Sequence, residues 1–179
     1  MSTSEDYQGI LVYCEFDGKV GPVVRAHYPE TLYPDELKLL ASMSMPNVGQ
    51  QTNLEIADST GFHVFQISES KVVCSYYKFL RGNIKTLTGA SLVSLSFVTE
   101  RVINPFRFKP FLELVLTPLF RIVVDSKALR QIVDAFASTG MIDKEITAKG
   151  PSVRVKARII QDSELPIFYY ELEKDLGKI

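Results

Sequence analysis

The sequence predicts an α+β fold, a five-stranded antiparallel sheet with helices packed on its faces. Three observations carry this reading. Apolar runs at strand and helix periods follow one another as strand, strand, helix, strand, strand, strand, helix, helix. The first two strands are joined by Asp17-Gly18, a strong short hairpin signal. The third and fourth are separated only by Glu69-Ser70, a tight connection.

The first strand is "GILVYCEF" (9–16), apolar and rich in β-formers. The returning strand is "VGPVVRAHY" (20–28), where Pro22 lacks a ladder donor and belongs at a strand start or on an edge. Gly18 and Gly21 feed a strand, whereas a phosphate loop needs a longer glycine-rich run leading into a helix. The segment is therefore expected to be a hairpin that binds no nucleotide.

A helix is expected over "YPDELKLLASMSMP" (33–46). Pro34 suits its first turn, and Asp35 and Glu36 complement the positive end of its dipole. Leu37, Leu40 and Ser44 mark one face, Leu39 and Met43 lie beside it, and Pro46 ends it. The polar stretch 47–60 reads as a loop. Strands follow at "GFHVFQIS" (61–68), "KVVCSYYKF" (71–79) and "ASLVSLSFVTE" (90–100). In the last, Val93, Leu95 and Phe97 point one way and Ser94 and Ser96 the other. The loop "LRGNIKTLTG" (80–89) carries Arg81 and Lys85.

"FKPFLELVLTPLFRIVVD" (108–125) is apolar around its whole circumference, with Glu113, Pro118 and Arg121 inside. Those residues make it a poor membrane span, so it reads as a helix covered on both sides and kinked at Pro118. One sheet covers only one side, so Phe111, Val115 and Phe120 are expected to meet a second subunit. The competing cover is the C-terminal tail, through Phe168, Tyr169 and Tyr170. "SKALRQIVDAFASTG" (126–140) is an amphipathic helix, capped by Ser126 and stopped by Gly140. "SVRVKARII" (152–160) is a strand whose outer face is basic, with "IFYYELE" (167–173) as its hairpin partner. Arg154, Lys156 and Arg158 on that face either meet an acidic partner or headgroup, or keep an edge strand from pairing.

The expected organisation is a disordered N-terminus (1–7), a main domain (8–140) and a C-terminal β-hairpin extension (141–179). The chain has 179 residues, 46% hydrophobic and 23% charged, with a net charge of −1. That balance gives no global field for nucleic acid or an anionic membrane. Cys14 and Cys74, the only cysteines, fall in strand-like runs and read as core residues in a reducing compartment, although a disulfide between them stays open. The N-terminus has no secretory pattern, and Ser2 stands where myristoylation needs glycine, so a cytoplasmic location is expected. His27 and His63 lack companion ligands at usable spacing, so no metal is expected. No nucleophile elbow or Cys–His–acid grouping stands out. No cofactor and no catalytic residue is expected from these patterns.

The element order resembles the longin domain over about residues 8–140. The opening hairpin ending in Gly21-Pro22 and the segment closing on Tyr28-Pro29 are similar to the start of the longin half of DENN, nitrogen-permease-regulator and folliculin proteins. The strand "SLVSLSFV" is similar to the last sheet strand of that group, while the large second half of a DENN module is missing. The resemblance implies a non-enzymatic adaptor that binds or helps regulate small GTPases in signalling or membrane traffic. Its implied partners are a small GTPase and a second longin- or roadblock-like subunit, in a homo- or heterodimer. The resemblance leaves two alternatives. One is a GTPase-activating subunit, because some relatives carry an arginine finger in the loop where Arg81 lies; the other is a structural subunit of a coat or tether. Arg81 also reads as an ordinary exposed loop residue.

Overall fold

The structure, a computed structural model, describes residues 8–46, 60–80, 84–100, 104–148 and 150–164. Its centre is a five-stranded antiparallel sheet of β1 (Ile10–Asp17), β2 (Gly21–Tyr28), β3 (Thr60–Gln66), β4 (Val72–Phe79) and β5 (Leu92–Thr99), in the order β2-β1-β5-β4-β3. The fold class and the five strands agree with the sequence expectation. Helix α1 (Pro34–Met43) covers one face. Helices α2 (Lys109–Leu119) and α3 (Ser126–Phe136) cover the other.

Every residue of the central strand β5 is buried. Val93, Leu95 and Phe97 face α2 and α3, while Leu92 and Val98 face α1. Ser94 and Ser96 share the α1 face, where burial obliges their hydroxyls to pair. Ser94 donates to Ser44 of the segment ending α1 at 3.0 Å, and Ser96 donates to Ser75 at 2.9 Å. Opposite, Phe97 stacks on Phe108 with centroids 4.5 Å apart, and Phe111 meets Phe136 edge-on at 4.9 Å. Cys14 lies in the core under α1 and Cys74 in the core under α2 and α3; both are free thiols, and the sequence's open disulfide is not formed.

α1 begins at Pro34, as expected, and is anchored through Glu36. That carboxylate accepts from the Tyr33 backbone N–H at 2.9 Å and from Lys71 Nζ at 2.9 and 3.1 Å. The α2 region departs from the single helix expected over 108–125. A 3₁₀ turn (Pro105–Phe108) leads into α2, which stops at Leu119. Pro118 ends the helix instead of kinking it, because it has no N–H to give to the preceding turn. The following amides close short turns, Arg121 N–H to Pro118 O and Ile122 N–H to Leu119 O. The cap of α3 is Asp125, not Ser126: its side chain accepts from the Ala128 N–H at 2.8 Å. Gly140, at φ 71, ends the element as expected, and its N–H bonds to Phe136 O.

The largest correction concerns the C-terminal hairpin. The strand β7 (Val153–Arg158) pairs with β6 (Met141–Ile146), while the expected partner 167–173 lies outside the described residues. Residues 1–7 and the aromatic residues 168–170 lie outside them too. Ile142, Ile146, Val155, Ala157 and Ile159 enter the same core as α2 and α3. The hairpin is thus a fourth layer, after α1, the sheet and the helix pair.

Candidate interaction surface

One end of the sheet is built around a buried carboxylate. Glu15 lies near the end of β1, with its side chain only 4% exposed. It accepts from Tyr13 Oη at 2.7 Å, from Arg25 Nε at 3.1 Å and from Thr88 Oγ1. Arg25 reaches it because the β1–β2 register shifts at Tyr13/Cys14, and the same guanidinium lies 3.5 Å from Asp17. Burial, then the charge of Glu15, pushes the Tyr13 phenol far above its ordinary pKa. The Thr88 contact ties the β4–β5 connection to the β1–β2 hairpin.

That connection has internal order. The Thr86 N–H bonds to Ala90 O at 2.8 Å and the Gly89 N–H to Thr86 O at 2.9 Å. The Ala90 N–H bonds to Thr86 Oγ1 at 3.0 Å. Lys85 is exposed on it, whereas Arg81 lies outside the described residues. At the hairpin tip, Asp17 Oδ1 accepts from the Lys19 N–H at 2.8 Å and the Val20 N–H at 3.2 Å. Those two bonds hold the Asp17 carboxyl below its ordinary pKa. A phosphate loop would turn such N–H groups toward a ligand; here the chain's own carboxylate takes them, and β2 follows directly.

The apolar helix is sealed from within. Phe111, Leu112, Val115, Leu116 and Leu119 are fully buried, over an arc of α2 shared between the sheet and the hairpin. Phe111 and Val115, expected to meet a second subunit, are therefore covered by this chain and present nothing to a partner. The apolar circumference that motivated a second subunit is thus covered in part by this chain's own layers. Leu114 on α2 and Arg121 and Val123 on the turn beyond it are exposed, and Phe120 between them is half-buried. The Arg121 guanidinium lies 5.8 Å from the Phe120 ring centroid.

The basic outer face of β7 is largely neutralised. Arg154 pairs with Asp143 of β6 at 2.6 Å, and Arg158 pairs with Glu164 at 2.7 Å. Lys156 stands directly opposite Asp143 in the ladder. Arg154 and Arg158 thus serve cross-strand and local pairing, and Lys156 lies across from a carboxylate already paired with Arg154.

Glu113 of α2 leaves Oε2 buried without a hydrogen-bond partner. Burial raises its carboxyl pKa, against a smaller opposing effect of Lys109 and Lys78. His63 stacks on Tyr77 at 5.0 Å, and burial lowers its pKa. Among the described residues no group of three or more His, Cys, Asp or Glu side chains gathers where a metal could be held. No described helix is long and apolar enough to cross a membrane.

Sequence reasoning missed two features of this surface. Glu15 was hidden inside a strand read as apolar, although a carboxylate two residues from Tyr13 on the same face was the available signal. The β6 strand was hidden because its buried residues, Ile142 and Ile146, are four apart with charges between them. No known protein family and no curated protein matches this sequence.

Proposed function

We propose that this chain is a longin-like adaptor that binds small GTPases in the cytoplasm and works by contact, without chemistry of its own. The observation that supports the reading is the architecture: the first eight principal elements run ββαβββαα, and one sheet carries one helix on one face and two on the other. That order is compatible with a longin-like domain. The hairpin of β6 and β7 is a decoration on it.

In this reading the protein-binding surface is the strip Leu114, Phe120, Arg121 and Val123. It combines a half-buried aromatic and an arginine, residue types that anchor protein interfaces, with two exposed aliphatics. The activating alternative rests on Arg81, which lies outside the described residues.

The test is capture of purified small GTPases, loaded with GTP or GDP, by the immobilised full-length chain. Saturable binding that prefers one nucleotide state and weakens about tenfold or more in Phe120→Asp is the expected result. Absence of binding in both states at high micromolar concentration would sink the proposal.

A further inference from the structure

We infer that the sheet end formed by the β1–β2 hairpin and residues 84–90, ahead of β5, is a docking site for anionic phospholipid headgroups. The two loops share one end because Glu15 pairs in register with Val93 and Phe79 with Leu92. Thr88 bonded to Glu15 fastens them together.

Each loop holds aliphatic side chains out in water. Val20 is 71% exposed at the hairpin tip, and Ile84 and Leu87 are 53% and 58% exposed on the connection. Exposed Lys19 and Lys85 flank them. Among the described residues of β1 and the two loops, the acidic groups are Asp17 and Glu15, and the two share Arg25. Together with Arg25, Lys19 and Lys85 outnumber those two carboxylates. Both tips are held by hydrogen bonds within their own loops, so the aliphatic groups are presented without a need to order the loop first.

The composition favours a lipid surface over a protein. Val and Leu are under-represented among the residues that dominate protein interfaces, where Trp, Tyr and Arg lead. A bilayer interface asks only for apolar tips that enter the headgroup layer and cations that meet anionic lipid, and neither signal alone gives firm attachment. Here both occur together on two loop tips that carry internal hydrogen bonds.

The test is co-sedimentation of the full-length chain with vesicles of phosphatidylcholine alone, or with about one part in three phosphatidylserine. Binding to the anionic vesicles, weakened by salt, is expected. The pair Val20→Ser with Leu87→Ser should lower partitioning by about tenfold, with an unchanged thermal melt because both side chains are exposed. Lys19→Glu with Lys85→Glu should abolish the preference for phosphatidylserine, while Lys156→Glu on the hairpin should leave it intact. Absence of binding to anionic vesicles at low salt overturns the inference, as does equal binding by the folded variants. Loss of GTPase capture in the loop variants without any vesicle binding also overturns it and assigns this end to a protein. Failure of GTPase capture by the wild type, with vesicle binding intact, would count against the adaptor reading alone.

Discussion

Arg107 Nε donates to the carbonyl oxygen of Ile160 at 2.9 Å in the protein interior. The bond joins the turn before α2 to the residues just past β7, so the C-terminal layer is tied to the helix it covers. Arg107→Ala is expected to destabilise the chain by about 1.5–3 kcal/mol, the range for a lost hydrogen bond to a charged group. Ile142→Ala, in the core beneath β6, should cost about 2–4 kcal/mol. Chemical denaturation of each variant checks both figures. A cost near zero for both would mean that the hairpin is only loosely docked.

Cys14 and Cys74 should be inert in the native protein. Burial pushes both thiols up to about 12, with hydrogen bonds to Ser94 and Ser44 opposing it at Cys14. A thiol held that high carries little thiolate at pH 8. Labelling with a thiol-specific reagent is expected to be negligible under native conditions and complete for two thiols in denaturant. Rapid native labelling of either one would contradict the burial described.

The five strands and their antiparallel sheet were legible in the sequence, and the reason is physical; the order of the strands within the sheet was not. β5 alternates Val93, Leu95 and Phe97 with small serines, and Asp17-Gly18 marks a turn that the structure contains. The helix over 108–125 was misjudged because apolar composition does not distinguish a helix from the packed turn that Pro118 starts. The partner role of Phe111 and Val115 failed for the same reason as the missing β6. A cover formed by Ile142, Val155 and Ile159 leaves little periodic signal in so charged a segment. The charge pairing on β7 depended on knowing which strand lies beside it.

Two glutamates should impose opposite pH slopes on stability. Glu36 has its pKa lowered, first by the Tyr33 N–H and then by Lys71. It therefore contributes stability above the ordinary glutamate range and loses it as pH falls through its native value. Glu113 has its pKa raised by burial. Its contribution is complete below the ordinary range and is lost as pH rises through its native value. Glu36→Gln should thus cost stability at pH 7 and little at pH below about 3, whereas Glu113→Gln should stabilise at pH 7 and lose that advantage in acid. Denaturation at the two pH values reads both signs, and a reversed sign at either residue would refute its assignment.

Thr88→Val should release the β4–β5 connection from Glu15. The expected cost is about 1–2 kcal/mol, because a buried carboxylate loses one of its donors. Faster hydrogen exchange at the Thr86 and Ala90 amides should accompany it. Unchanged exchange there would mean that the connection is ordered by its own turn and not by Glu15.

The account stands on α2 being sealed by its own chain, and Val115→Cys tests that most directly. Val115 is fully buried, and the substitution nearly preserves side-chain size. In the full-length protein, with Cys14 and Cys74 as inert references, the new thiol should stay unlabelled until the protein is unfolded. Labelling under native conditions at the rate seen in denaturant would mean that this face of the helix is open and awaits a partner, and would contradict the account.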